Sequence, residues 1–268
     1  MSSRAWSLAA LAVLVPVPAL AATDLHAVDD AAWCHEEGQG DRNRHCEVRE
    51  ATLPAGGPLA VDARPNGGIE VRGWDRDEVR LRVKIVATAD SDAEARDVAG
   101  EVRVETAGTV RAVGPSRSRG HGWHASFRLD VPRNAQLRLQ ADNGGLHLGQ
   151  IAGDVELHTV NGGLHVDHVG GHVHGETVNG GVHVALSGSE WQGQGLELRT
   201  TNGGLHLEIP AGYNARLEAG TVNGGVDSDL PLTTRGHHAG GRIETDLGHG
   251  GRLIRVDTTN GGLRLQRR

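Results

Sequence analysis

His147, His165, His183 and His206 each stand two residues after a Gly-Gly pair, 18, 18 and 23 residues apart. Imidazole nitrogen is a common ligand for Zn²⁺, Cu²⁺ and Ni²⁺, held at roughly 2.0–2.1 Å. A repeat that set the four at successive levels of one face would let adjacent rings turn onto one ion. Neighbouring imidazolium charges would also repel. The plainer reading is a periodic polar position, because Glu70, Asp227 and Arg264 occupy the same place in other copies. His158, His168, His172 and His174 fall in the same stretches. The chain has two cysteines, Cys34 and Cys46, flanked by His35 and His45. A two-Cys, two-His zinc site is one pairing of these groups, but its spacing fits no familiar zinc pattern. A disulfide closing a short loop is the expectation.

Other chemistry is scarcely represented. There is no Gly-x-Ser-x-Gly elbow, no phosphate-cradling Gly-Lys-Ser/Thr loop and no His-Glu-x-x-His helix. Asp227 and Asp229 are the nearest thing to a carboxylate pair, and their place in the repeat is an exposed polar one. A β-helical polysaccharide-cleaving enzyme would need a tighter acidic cluster, so no catalytic residue and no cofactor is expected. The formal net charge is −7, which argues against nucleic acid as a partner.

The elements that would position the histidines are announced by a repeat. Asn-Gly-Gly occurs at Asn66, Asn143, Asn161, Asn179, Asn202, Asn223 and Asn260. After each triplet the chain alternates, as in Leu146-His147-Leu148, Val182-His183-Val184 and Leu205-His206-Leu207. Before it, alternation continues, as in Val155-Glu156-Leu157 and Ile254-Arg255-Val256. Alternation of this kind marks strands with one buried face. Asn-Gly favours a turn through positive φ. Repeated at a near-constant period, that turn becomes the corner of a coil. Stacked coils would place equivalent residues roughly 4.8 Å apart, with Asn side chains bonded in a ladder. No coil can bury its apolar face alone. Read in chain order, the last gap of 37 residues has room for a decayed copy at Ala239-Gly240-Gly241, followed by Arg242-Ile243-Glu244. Thr159, Thr177, Thr200, Thr221 and Thr258 stand two residues before Asn, a place that suits β-branched residues.

The prediction is an all-β chain: a β-solenoid, β-helix or β-roll-like, of about 18–21-residue coils over 132–268. A less regular β region over 51–131 precedes it, with Ser91 capping one short helix near 92–99. Residues 22–50 form an N-terminal segment with the disulfide. Residues 1–21 read as a Sec-type signal peptide, with Arg4, an apolar run from Ala9 to Val15, and Ala19-Leu20-Ala21 before the cut. The mature chain then carries no transmembrane span and is exported to the periplasm or cell surface. The 40 glycines and few aromatics suit stacked aliphatic layers better than an aromatic core. Trp74, Trp123 and Trp191 are candidate exposed rings that could instead cap coil ends or loops.

Val71-Arg72-Gly73-Trp74-Asp75, Val131-Pro132, the Asn-Gly-Gly repeats and Gly248-His249-Gly250-Gly251 together resemble the bacterial putative-adhesin family of β-strand-repeat envelope proteins, also called Toast-rack domains. The resemblance covers roughly residues 50–268. It implies a β-helical or β-roll-like scaffold at the cell envelope and no catalytic residues. The expected function is a non-enzymatic structural, adhesive or interaction scaffold whose partner is another envelope protein or a surface polymer. A homo-oligomer remains open. The alternative is a periplasmic protein that binds Zn, Cu or Ni through His147, His165, His183 and His206.

Overall fold

A computed structural model describes residues 25–35, 43–116, 118, 120–230 and 241–268. The proposed signal segment and Ala239-Gly240 lie outside the described residues. The chain is all-β, with two large sheets facing one another.

The N-terminal part supplies β1 (His26–Val28), α1 (Ala31–His35) and β2 (Asn43–Pro54), then β3 (Leu59–Asp62), β4 (Ile69–Trp74) and β5 (Glu78–Ala89). Next come α2 (Asp92–Glu101), β6 (Arg103–Glu105), β7 (Thr109–Val113) and β8 (Gly122–Pro132). The repeats follow as β9 (Leu137–Ala141), β10 (Leu146–Gly149), β11 (Asp154–Thr159), β12 (Leu164–Asp167), β13 (Gly171–Asn179) and β14 (Val182–Ala185). Then come β15 (Gly193–Asn202), β16 (Leu205–Ile209), β17 (Ala215–Asn223) and β18 (Val226–Ser228). The chain closes with β19 (Arg242–Leu247), β20 (Leu253–Asn260) and β21 (Leu263–Arg267).

Each coil is a strand of the second sheet, an Asn-Gly-Gly corner and a strand of the first. Parallel pairing sets equivalent residues level with one another: Leu146 faces Leu164, Leu164 faces Val182, and Val182 faces Leu205. These columns extend to Ile69 and Phe127 at one end and to Leu263 and Val226 at the other. Val173, Leu196, Ile254 and Leu217 answer from the second sheet. Opposed aliphatic columns fill the interior, and Leu146, Leu164, Leu198 and Ile254 are fully buried. Each such side chain removed from water contributes about 1.5–3 kcal/mol, which no single coil could collect without neighbours above and below.

The stack does not follow chain order. The first sheet runs β1-β2-β5-β8-β4-β10-β12-β14-β16-β21-β18, and the second runs β19-β17-β20-β15-β13-β11-β9-β3-β7-β6. The C-terminal coil, β20 with β21, sits between β15/β16 and β17/β18. The coil at Asn260 therefore precedes the coil at Asn223. Nor is the segment after Gly241 a further coil, as the repeat count suggested: β19 runs antiparallel to β17 and closes that edge. The opposite end is closed by antiparallel β5, β2 and β1. Strands β3, β4 and β8, which precede or reach residue 132, stand in the same two sheets as the later repeats.

The corners work differently from a hairpin turn. None of the seven Asn residues has positive φ. Left-handed residues occur instead in the connections leading from the first sheet back to the second, at Gln150, His168, Gly188 and Gly212. The first Gly of each triplet is required by the layer beneath. A Cβ on Gly162 would lie 2.0 Å from the Gly144 carbonyl oxygen, and one on Gly180 would lie 2.0 Å from that of Gly162. A side chain there would push the coils apart.

Helix α2 begins where the sequence placed it. The Ser91 side chain accepts the Glu94 N–H at 3.3 Å, which satisfies one of the free donors at the helix start.

Candidate functional site

The parallel register of the first sheet carries the predicted histidines into one outward column. His147 pairs with His165, His165 with His183, and His183 with His206. Glu70 precedes the column, and Arg264 and then Asp227 follow it. Chain order alone would have put Asp227 beside His206; insertion of β21 puts Arg264 there.

The four rings are not equivalent. His147 and His165 stack face to face, with centroids 4.6 Å apart and planes within 6°. His165 and His183 are 5.5 Å apart at 20°. His183 and His206 meet edge to face, 4.9 Å apart at 85°. Imidazole lone pairs lie in the ring plane, so face-stacked rings send theirs out in parallel layers. Rings set at right angles can aim theirs at one point. His165 is held below the ordinary histidine value, first by loss of water around its ring and then by charge on His147 and His183. This favours neutral imidazole, the form that binds a metal.

The convergence at His183 and His206 involves a residue that sequence reasoning did not single out. Glu208 lies two residues beyond His206, level with Ala185 on β14. His183 Nε2 is 3.6 Å from Glu208 Oε1. Ligand atoms of His183, His206 and Glu208 all lie within 4.8 Å of one another. Gln266 Oε1 lies 3.1 Å from His206 Nε2, and Arg268 Nε is 3.3 Å from Glu208 Oε2. His147 and His165 belong to no such group among the described residues. A groove of about 550 Å³ runs along this part of the face, bordered by His147, His165, His183 and Glu208. Gly149, which has no side chain, and Ala185, which has only a methyl group, line it too and leave it unfilled.

The other histidines point elsewhere. His158 and His174 lie on the second sheet, level with Glu176 and Glu197 respectively. His168 holds a left-handed turn and meets Asp167 at 2.6 Å. His172 is exposed on β13.

The outer face of the second sheet is a charge ladder. His158, Glu176, Arg199 and Asp257 stand in register, with Gly220 and Arg242 beyond them. Beside them run Glu156, His174, Glu197, Arg255 and Glu218. Glu218 is buried and receives Arg255 Nε at 3.0 Å and Arg216 Nε at 3.2 Å. The Arg255 hydrogen bond, more than any other influence, holds the Glu218 carboxyl below its usual value. Burial pushes Asp257 upward against the pull of Arg242 and Arg255. A shallow groove of about 580 Å³ lies here, with Val178 and Val222 at its side.

Along the corner the seven Asn residues are joined in stacking order. Asn143 donates to Asn66, Asn161 to Asn143, Asn179 to Asn161, and Asn202 to Asn179, at 2.8–2.9 Å. Asn260 then donates to Asn202, and Asn223 to Asn260, both at 2.8 Å. The threonines do more than favour a strand. Thr177 Oγ1 donates to the Gly162 carbonyl at 2.7 Å, and Thr258 Oγ1 to that of Gly203 at 2.8 Å. Each binds the coil on its inner side, and all five are buried.

Cys34 and Cys46 form a disulfide with Cα atoms 5.9 Å apart, so they are not available for the alternative zinc set. The bond ties α1 to β2, and Trp33 of α1 is buried with Arg128 4.2 Å from its ring. The three candidate tryptophans are all engaged. Trp74 donates to the Glu78 carbonyl, Trp123 to Pro115 and Trp191 to Gly171, at 2.8–2.9 Å. Asp227 pairs with Arg264 at 2.9 Å, and Asp229 accepts the Arg267 N–H at 2.7 Å; both are exposed, as their place in the repeat suggested.

The geometry defines a two-sheet stack of parallel coils with polar outer faces. Solved structures of similar outline include a putative cell adhesion protein from Clostridium sporogenes, at 10% identity and TM-score 0.47, covering 84% of this chain and 100% of that one. A putative adhesin from Bacteroides fragilis matches at 10% identity and TM-score 0.30, covering 84% of this chain and 97% of that one. A putative lipid binding protein from Parabacteroides distasonis matches at 11% identity and TM-score 0.36, covering 84% and 98%. No family model and no curated protein matches the chain. No helix among the described residues is long and apolar enough to cross a membrane.

Proposed function

We propose that the chain is an exported, non-enzymatic protein of the cell envelope whose coil stack is a structural or adhesive scaffold, held against another envelope protein or a surface polymer. The observation that carries this reading is the unbroken Asn ladder from Asn66 to Asn223. Together with the parallel backbone pairing it holds the outward columns of these coils in register, so the faces are preorganised and lose little freedom on binding. The second sheet supplies a suitable surface: alternating Glu176, Arg199, Asp257 and Arg242 beside the exposed Val178 and Val222. The Cys34–Cys46 bond suits an oxidising compartment, and the signal pattern at residues 1–21 supports export.

The test is binding of the labelled mature chain to isolated bacterial envelope fragments. Saturable retention is expected, weakened at least about tenfold, or ~1.4 kcal/mol, by the double substitution Val178→Asp and Val222→Asp. Both side chains are exposed, so the melting temperature should barely change. Absence of retention by wild-type protein would remove the scaffold reading.

A further inference from the structure

The histidine column contains one place where three ligand side chains converge, and it is narrower than the column itself. Donors about 2.1 Å from a shared ion at a tetrahedral angle stand roughly 3.4 Å apart. His183 Nε2 and Glu208 Oε1 are already 3.6 Å apart, and the His206 ring meets His183 edge-on at 85°. All three ligand atoms fall within 4.8 Å, a separation that small side-chain rotations close. Strands β14 and β16 hold the group at adjacent levels through direct pairing, so the backbone need not move. Two imidazoles and one carboxylate form a donor set typical of catalytic and exchangeable zinc sites, with a coordination position left for water or a ligand. The adjoining groove of about 550 Å³ gives access to that position.

We infer that His183, His206 and Glu208 bind a divalent transition-metal ion of the Zn²⁺ type, and that His147 and His165 lie outside its coordination shell. Gln266 is the orienting acceptor for the His206 ring, the role that carboxylates and carbonyls commonly fill behind ligating histidines. Arg268 is the resident counter-cation of Glu208. Its side chain is half exposed, and the ion replaces its charge at the carboxylate. The inference stands apart from the scaffold reading: a chain that binds envelope fragments and no zinc fails only here.

The experiment is calorimetric titration of Zn²⁺ into the chain, purified without an affinity tag and stripped with EDTA. One tight site per chain is expected. Glu208→Gln and His206→Asn should each weaken it by at least about tenfold, whereas His147→Asn and His165→Asn should leave it essentially unchanged. Co²⁺ should give the visible absorption of a low-symmetry site, and Glu208→Gln should remove it. Unchanged thermal melting of the metal-free variants excludes misfolding as the cause. Absence of zinc binding would overturn the assignment. So would affinity indifferent to Glu208→Gln, or affinity lost equally on replacing any of the four histidines, which would mark adventitious surface imidazoles.

Discussion

Glu218 joins coils that are distant in the chain and adjacent in space. Its carboxylate lies on β17, receives Arg255 from β20 and Arg216 from its own strand, and is buried. Because these contacts hold its pKa below the usual glutamate value, folding binds fewer protons at this position than the unfolded chain does. Its contribution is therefore present above the unfolded pKa of 4.5 and lost as pH falls through the lower folded value. Glu218→Gln should destabilise the protein by roughly 1–3 kcal/mol at pH 7, the range for a lost charged hydrogen bond. Urea melts of the two proteins should converge as pH falls toward 3; a difference that persists there would show that charge is not the cause. At this scale the sequence disclosed part of the metal candidate. His183 and His206 were visible from their offset to Gly-Gly. Glu208 was not, because its approach to His183 depends on the short Ala185 side chain beside it. Only the pairing of β14 with β16 brings those residues together.

The corner is the element that sets the stack. Alternation on either side of each triplet gave the strands, and Ser91 gave the helix start, since both are local signals. The reason for glycine is not legible locally, because a turn preference acts within one segment whereas the constraint lies between segments. In six of the seven triplets, all but that at Asn66, the first Gly is small because the Gly carbonyl of the adjacent layer lies against it, not because φ is positive. Gly162→Ala should cost about 1–3 kcal/mol in urea denaturation, as overpacking does. Gly225→Ala, whose added methyl meets nothing within 4 Å, should be neutral or slightly stabilising through loss of unfolded-chain entropy. Equal effects at the two positions would return the explanation to local turn geometry. Thr177 and its equivalents carry the same lesson: their hydroxyls serve carbonyls of the neighbouring coil.

For the molecule as a whole, a period in sequence establishes that coils stack, but it is silent on their order. The triplets at Asn202, Asn223 and Asn260 are interchangeable as local signals. Their order is decided by the edge strand β19, which runs back along β17 and leaves β20 on the inner side of that coil. The C-terminal coil then fills the slot between β16 and β18. The make-up of the outward faces depends on this placement: it puts Arg264 beside His206, Gln266 beside Glu208, and Arg255 between Glu197 and Glu218. Cysteine cross-linking tests it directly. Thr201 lies between Thr200 and Asn202, which face Thr258 and Asn260, so Thr259 is its neighbour, and Val222 is one layer further away. The double variant Thr201→Cys, Thr259→Cys should form an additional disulfide under mild oxidation, and Thr201→Cys, Val222→Cys should not. Cross-linking of the second pair and not the first would show that the coils stack in chain order and would contradict the account.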